Sequence, residues 1–424
     1  MKQIFLTAVL AIAGLGLFAQ SVDKAKDLLK SNKLADAKAE IDKVLAVDKN
    51  QKSQDAWYYK SKIYIAIAGN DQLKGTVPDA YDQAFDALKK YLELDDKKIY
   101  LLLIQDQYKP INDIYQGYFQ RGAASYNTGK YPEALSDFKG ALSAINYMGE
   151  KGWIKKILDT TSTLYAGISA EKANKKDEAA FYYKQLADSG ISRINGSEMT
   201  DIYKWLVDYY EKKGDEANEA KYLAEGKAKY PKDLFWFETE LDDARKSGNK
   251  ELLFTKYEEI NKAMPDSSVY FFNYGLELYQ YASDTTSGKR PANADELVKR
   301  AQEKLSRSLE LKSDYAQAAL VLGQIAYNAG VDLQQQTKTI KGTKPEDVKK
   351  RADLRVAANK KFDEAIPYFE KVEQILGPKG KLKLQDKQAL KDAYDLLITI
   401  YDSKNIKDKS TAYTDKFNNV DKVH

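Results

Sequence analysis

The sequence predicts an all-α protein, and three observations carry that prediction. Proline is scarce, with 9 in 424 residues, whereas residues that favour helices are abundant. Apolar residues recur at helical spacing through most of the chain, and no segment shows the strict alternation of a half-buried strand. One arrangement of small and aromatic residues also returns several times. Together these features predict an array of amphipathic helices.

The segment "NTGKYPEALSDFKGAL", residues 127–142, shows the arrangement most clearly. Gly129 is expected to end the preceding helix, and Pro132 falls in a first helical turn, where its missing N–H is tolerated. The residues that follow are spaced as one apolar face of a helix and are Ala134, Leu135, Phe138, Ala141 and Leu142. Two of these face residues are alanines, which predicts close contact with a neighbouring helix.

The same spacing recurs along the chain. Gly122 precedes Ala134 by twelve residues, and Phe138 and Ala141 follow four and then three residues later. Three further copies have the members Gly167, Ala179, Tyr183 and Leu186; Leu241, Leu253, Tyr257 and Ile260; and, across a longer insertion, Gly323, Ala365, Phe369 and Val372. Small residues let two helix axes approach, and the large side chain fills the space beside the crossing.

This spacing resembles the tetratricopeptide repeat (TPR), a pair of antiparallel helices of about 34 residues. The resemblance implies a right-handed superhelical solenoid of about eight or nine helix pairs. The remaining units match less well and centre on Trp57, Trp205 and Gly275, with terminal pairs at 22–47 and 389–420. The expected period is irregular, because Ala134 and Ala179 are 45 residues apart.

Three insertions separate the two helices of a pair and are expected to be solvated loops. They cover residues 68–78, 283–292 and 331–354, which are rich in Gly, Thr, Pro and charge. The third is basic, since nine Lys or Arg stand against three Asp or Glu between Lys338 and Lys361. Such a run is usually a solvated face, and the alternative is a surface that binds an acidic partner.

The N-terminus has the features of a secretory signal peptide. Lys2 precedes an uncharged apolar run from Ile4 to Phe18, and Ala19 offers a small residue for cleavage before Gln20. This run is shorter than the roughly 20 residues of a membrane span, although an uncleaved anchor is the alternative. We therefore expect a signal at 1–19, a repeat array at 20–424, and a periplasmic or secreted location in a bacterial cell envelope.

The composition argues against catalysis, cofactors and metals. Cysteine is absent and the one histidine is His424, so thiolate chemistry is excluded and a histidine-based site is not expected. The sequence has no Gly-rich phosphate loop, HExxH motif or EF-hand loop, and "NGS" at Asn195 matches a glycosylation acceptor by coincidence. Because 67 basic residues face 63 acidic ones, neither nucleic acid nor a membrane surface is an expected partner.

Aromatic residues are the better indication of function. The chain has 31 Tyr, and "VYFFNYGLELYQY" at 269–281 alone holds six aromatic residues. These rings either fill gaps between helix pairs or line a binding groove. The TPR resemblance implies that the first helix of each pair faces a concave surface that binds peptides. The groove candidates on those helices are Tyr58, Lys62, Phe119, Tyr126, Lys204, Phe272, Tyr279, Gln324 and Tyr327.

Two binding functions remain open from the sequence. The first is a non-catalytic secreted or periplasmic scaffold that binds a protein or peptide in its concave groove, where Tyr and Phe provide rigid anchors. The alternative is a surface protein that binds glycans by stacking sugars on exposed Tyr and Trp. Only four Trp are present, which favours the first hypothesis. An enzyme is a distant third.

Overall fold

A computed structural model describes residues 21–284 and 290–424 of the chain. Over these ranges the secondary structure consists of nineteen α-helices, one short 3₁₀ turn and one two-stranded hairpin, which confirms the all-α prediction. The chain divides into two compact units between Pro231 and Lys232. The predicted signal at 1–19, and residues 285–289 of the second predicted loop, lie outside the described residues.

Within its described residues the first unit contains eleven helices and the hairpin. Its elements are α1 (Val22–Lys30), α2 (Leu34–Leu45), α3 (Gln54–Ala68), α4 (Ala80–Glu93), α5 (Leu101–Gln105), α6 (Lys109–Asn127), α7 (Tyr131–Glu150), α8 (Thr160–Lys172), α9 (Lys176–Asp188), β1 (Arg193–Ile194), β2 (Ser197–Glu198), α10 (Thr200–Lys213) and α11 (Glu216–Lys229). The 3₁₀ turn, Asp48–Lys52, connects α2 and α3.

The second unit contains eight helices within its described residues. They are α12 (Leu234–Lys246), α13 (Lys250–Ala263), α14 (Ser268–Ser283), α15 (Ala294–Leu311), α16 (Ala316–Thr339), α17 (Pro345–Leu376), α18 (Leu384–Ser403) and α19 (Lys407–Val423). No helix of the described residues is both long and apolar enough to cross a membrane.

Consecutive helices pack side by side as antiparallel pairs. In the described part of the first unit these are α1–α2, α3–α4, α6–α7, α8–α9 and α10–α11, with the short α5 as an extra element. In the second unit they are α12–α13, α14–α15, α16–α17 and α18–α19. These nine pairs agree with the number expected, and the chain is an all-α helical-repeat protein.

The helix that begins at Tyr131 forms as the sequence predicts. Gly129 has φ +75°, a left-handed conformation that ends α6, and Pro132 occupies the first turn of α7. Ala134, Phe138 and Ala141 are fully buried. These residues therefore form the face that α7 presents to its partner helix.

A glycine of the first helix meets a large side chain of the second in several pairs. A Cβ atom on Gly122 would lie 3.2 Å from the Phe138 ring, and one on Gly167 would lie 2.6 Å from the Tyr183 ring. Since ordinary carbon contacts are about 3.5–4.0 Å, a side chain at Gly167 would require the Tyr183 ring to move, and one at Gly122 would require a smaller shift of Phe138. The predicted spacing of small and aromatic residues is confirmed as the contact between paired helices.

The prediction of a loop at 331–354 is wrong. Helix α16 continues to Thr339 and α17 starts at Pro345, so only residues 340–344 connect them. The reason lies partly in local preference, because Lys, Gln and Ala are good helix formers despite the polar composition of the segment. By contrast, no helix occupies residues 69–79 between α3 and α4, which confirms a non-helical connection at the first predicted insertion.

Contacts between α16 and α17 also stabilise these two helices over their greater length. A Cβ atom on Gly323 would lie 2.5 Å from Phe369, and one on Gly330 would lie 2.7 Å from Phe362, so the close contact repeats after seven residues. Beyond it, the Arg351 Nη1 donates to the carbonyl oxygens of Ile340 (3.2 Å) and Gly342 (2.5 Å). These bonds satisfy carbonyl acceptors in the connection that follows α16.

We expect Gly323→Val to lower the free energy of unfolding by about 2 kcal/mol, because its side chain would overlap the fully buried Phe369 ring. The better helix preference of valine offsets only about 0.5 kcal/mol of this effect. Urea denaturation of both proteins measures the difference. Gly380→Val is the matched control, since a Cβ atom there meets nothing within 4 Å. Equal midpoints for the two variants would contradict this account.

Candidate functional site around Trp205

The β1–β2 hairpin sets where α10 begins. Ile194 pairs with Ser197, and Asn195 and Gly196 between them have φ +50° and +83°, as a tight hairpin turn of this kind requires. The backbone N–H of Met199 then donates to the Ser192 carbonyl oxygen, at 3.2 Å. The "NGS" sequence at Asn195 therefore has a structural role as a turn.

Trp205 of α10 is the centre of a group of aromatic rings. Its ring stacks on Tyr209, one helical turn later, with centroids 5.2 Å apart and planes at 11°. Tyr183 of α9 meets Trp205 edge to face, with centroids 5.0 Å apart. Trp205 and Tyr209 are both half-buried, so part of each ring reaches solvent.

Hydrogen bonds hold the neighbours of Trp205 in place. The Tyr183 hydroxyl donates to Glu171 Oε2 at 2.7 Å, and burial together with this bond raises the pKa of Tyr183 above its ordinary value. The Tyr209 hydroxyl donates to Asp177 Oδ1 at 2.6 Å. Both tyrosines are thereby oriented before any ligand arrives.

A cavity of about 320 Å³ lies on one side of Trp205, among α8, the hairpin and α10. Its apolar lining comes from Leu164, Ile168, Ile194, Met199, Ile202 and the rings of Tyr183 and Trp205. Ser197 and three carboxylates, Glu171, Glu198 and Asp201, complete the lining. Arg193 pairs with Glu198 at 3.3 Å, whereas Asp201 is exposed and forms no ion pair with any residue that the structure describes.

A second, polar cleft of about 590 Å³ lies on the other side of Trp205. Besides Trp205 and Tyr209, its lining includes three lysines and two aspartates: Lys176, Lys212, Lys213, Asp177 and Asp208. Lys213 pairs with Asp177 at 2.9 Å, and the pKa of Asp177 lies below its ordinary value because Tyr209 and Lys213 both donate to it. Among the described residues neither Lys176 nor Lys212 has an ion-pair partner.

The two spaces give Trp205 chemically different surroundings. The apolar cavity fits one aliphatic or aromatic side chain, and Glu171 and Asp201 favour a cationic group beside it. The cleft offers ammonium groups at Lys176 and Lys212 that suit a carboxylate or a carbonyl oxygen. We call this arrangement the Trp205 site: the cavity, the cleft and the rings between them.

Two of the residues predicted to face a groove are occupied by contacts within the fold. Tyr58 is 1% exposed, and its hydroxyl donates to Asp106 Oδ2 at 2.6 Å and to the Leu102 carbonyl oxygen at 2.9 Å. Lys62 pairs with the same carboxylate at 2.6 Å. The prediction that Tyr58 faces a binding groove is therefore wrong, because its ring is buried and a ligand cannot reach it.

The other candidates of the first unit are half-buried. Phe119 meets Phe138 with centroids 5.7 Å apart, and Tyr126 meets Tyr165 of α8 at 5.5 Å. Lys204 is half-buried on α10, directly before Trp205 in the chain. Of the whole predicted set, Lys204 is the member nearest to the Trp205 site in sequence.

The candidates of the second unit lie on α14 and α16, and all are half-buried. Phe272 packs on Tyr315 with centroids 4.9 Å apart, and Tyr327 packs on Phe362 at 5.5 Å. The Tyr279 hydroxyl accepts a hydrogen bond from Asn328 Nδ2 at 2.6 Å, which links the two helices. Gln324 lies one turn before Asn328 on α16.

The Trp205 site has members that the sequence prediction did not select. Trp205 was expected only to mark a weak repeat, and Tyr183 only to fill a helix contact. The signal for the stacked pair was present, because residues 205 and 209 are one helical turn apart. The Asn195-Gly196 dipeptide was a second signal, since it favours a two-residue hairpin.

The sequence matches no protein-family model and no curated protein. Similar solved structures include the C-terminal part of a TPR repeat-containing protein from Cytophaga hutchinsonii, at 15% identity and a TM-score of 0.41. That match covers 72% of this chain and 96% of the other.

Two further solved structures align over more of the chain with lower TM-scores. The human IFIT1 dimer with PPP-AAAA has 13% identity and a TM-score of 0.22, covering 88% of this chain and 94% of the other. The APC/C hetero-tetramer Cut9-Hcn1 has 12% identity and a TM-score of 0.22, covering 93% and 86%. Similarity at this level concerns the fold alone, which the nine helix pairs define by themselves.

We expect Asp106 to make stability depend on acidic pH. Burial opposes its ionisation, but the hydrogen bonds from Lys62 and Tyr58 outweigh it, so the pKa of Asp106 is below its ordinary value in the folded state. Its contribution is present above the unfolded pKa of about 4 and is lost as pH falls through the lower folded pKa. In urea denaturation at a series of pH values, Asp106→Asn should lose less stability on acidification than the wild type.

The exposed Asp36 provides the control for this measurement, because it forms no ion pair with any residue of the described ranges. Asp36→Asn should keep the wild-type dependence on pH. If Asp106→Asn also keeps it, the Tyr58–Lys62–Asp106 contact has no role in stability at acidic pH.

Proposed function

We propose that this chain is a non-catalytic, secreted or periplasmic scaffold that binds a protein or peptide partner. The Trp205 site is the observation that carries the proposal. It combines a rigid aromatic anchor, an apolar cavity and flanking charges, which are the features that hold a peptide side chain and its neighbours. The repeat architecture supports the same function, since stacked helix pairs create extended surfaces for partners.

The chemistry of the site specifies the kind of peptide. One apolar side chain occupies the cavity, and a Lys or Arg next to it pairs with Asp201 or Glu171. The chain then passes over Trp205 and places an acidic residue or its own carbonyl oxygens near Lys176 and Lys212. Tyr183 and Tyr209 are held by hydrogen bonds, so little side-chain entropy is lost on binding.

Glycan binding is the second candidate, and the stacked pair of Trp205 and Tyr209 favours it. Both rings are partly exposed and adjoin the polar cleft, where hydroxyl groups of a sugar find donors and acceptors. In this case the sugar ring stacks on the exposed aromatic face and the apolar cavity stays unused. The cavity is the reason that we favour a peptide.

We expect Trp205→Ala to weaken peptide binding by about thirtyfold, or about 2 kcal/mol, as is typical when a central aromatic anchor is lost. Screening a random peptide library against the wild type should first select sequences with an apolar residue beside Lys or Arg. Fluorescence polarisation with a selected peptide then gives the dissociation constants of both proteins.

Phe181→Ala is the matched control, because Phe181 is an aromatic residue of α9 that is 60% exposed and lines neither space. It should bind as the wild type does. Circular dichroism verifies that Trp205→Ala remains folded. If the library and a pull-down from cell-envelope extract yield no protein ligand while a glycan array gives Trp205-dependent binding, the peptide proposal fails and the glycan function replaces it.

Secretion is the part of the proposal that rests on residues 1–19 alone. When the full chain is expressed in a Gram-negative bacterium, the mature protein should begin at Gln20 and appear in the periplasmic fraction or the medium. N-terminal sequencing and cell fractionation measure both. An intact N-terminus in the cytoplasmic fraction would contradict this part and leave the Trp205 site unaffected.

A further inference from the structure

The far end of the α16–α17 hairpin projects from the second unit. Helix α17 has 32 residues, whereas α18 has 20, and no residue between 338 and 357 is buried. The side chain of Arg351, on α17, is hydrogen-bonded to the carbonyl oxygens of Ile340 and Gly342 in the connection between the two helices. The end is therefore an ordered helical structure with most of its surface in solvent. We call residues 338–360 the hairpin tip.

The hairpin tip carries an excess of positive charge. Its exposed cations are Lys338, Lys341, Lys344, Lys349, Lys350, Arg355 and Lys360. None of these seven forms an ion pair with another residue of the ranges 21–284 and 290–424. Elsewhere on the surface some lysines pair with a carboxylate three or four residues away, as Lys74, Lys109 and Lys256 do.

An apolar stripe runs between these cations on the outer face of α17. Val348, Ala352 and Val356 are four residues apart, so they lie in line on one side of the helix. All three are exposed, Val348 to 49% and Val356 to 70%. At 100° per residue, Arg355 lies on one edge of the stripe and Lys349 on the other.

We infer that the hairpin tip is a second interaction surface, which binds an acidic segment of a partner protein. Charge complementarity supports this assignment, since carboxylates of the partner would compensate the unpaired cations. The stripe supports it as well, because an amphipathic segment with apolar residues at helical spacing can cover Val348 and Val356. This inference concerns a different unit from the Trp205 site and does not depend on it.

The composition of the tip favours a protein over other anions. Helices that lie on membranes insert Trp, Phe or Leu, whereas this stripe has only Val and Ala. Glu346 and Asp353 are exposed among the cations and would repel the uniform phosphate charge of a nucleic acid or an anionic bilayer. A folded polypeptide can place a basic or neutral residue opposite these two carboxylates.

The test measures binding of the purified protein to a labelled peptide of Glu with Leu at every fourth position. Binding should weaken as salt is raised, and the same peptide with Gln in place of Glu should not bind. The triple variant Lys349→Gln/Arg355→Gln/Lys360→Gln should bind the Glu peptide about tenfold more weakly. Circular dichroism confirms that it is folded.

The matched control is Lys379→Gln/Lys381→Gln/Lys383→Gln, which removes three exposed lysines of the same unit that lie outside the tip. It should bind as the wild type does. Equal losses in the two triple variants, or no binding by the wild type, would overturn the inference. So would tighter binding to phosphatidylglycerol vesicles or to single-stranded DNA than to the Glu peptide.

Discussion

The close contact between paired helices is the interaction on which the rest of the structure depends. In four pairs a glycine of the first helix faces a large side chain of the second, as Gly122 faces Phe138 and Gly275 faces Leu305. The missing Cβ lets the helix axes approach, so each pair buries an apolar face within a short stretch of chain. Contacts between neighbouring pairs then add to helix pairs that are already packed.

The same contact builds part of the Trp205 site. Tyr183 meets Gly167 of its own pair with one side of the ring, meets Trp205 of the next pair edge to face, and donates to Glu171 through its hydroxyl. Tyr183, which packs two helices together, thus also lines the cavity beside Trp205. The Trp205 site is thus a consequence of packing, because a ring that fills one pair extends into the space beside the next.

The hairpin tip exists because the close contact between a glycine and an aromatic ring occurs twice in the α16–α17 pair. Gly323 and Gly330 are seven residues apart on α16, and their partners Phe369 and Phe362 are seven apart on α17. The seven-residue repeat keeps the two helices in register over a longer distance than in the other pairs. This length carries residues 338–360 away from the rest of the unit and exposes their charge to solvent.

The sequence by itself determined the all-α class, the helix pairs and the residues at their contacts, because spacings of twelve, four and three residues act within one pair. Only the tertiary structure decided which aromatic rings remain partly exposed to solvent. Tyr58 is buried through Asp106, 48 residues away, and Trp205 is flanked by α8, α9 and the hairpin. Such contacts join residues that local periodicity does not relate. The predicted loop at 331–354 is helical partly for the same reason, since the contact of Gly330 with Phe362 joins residues 32 positions apart.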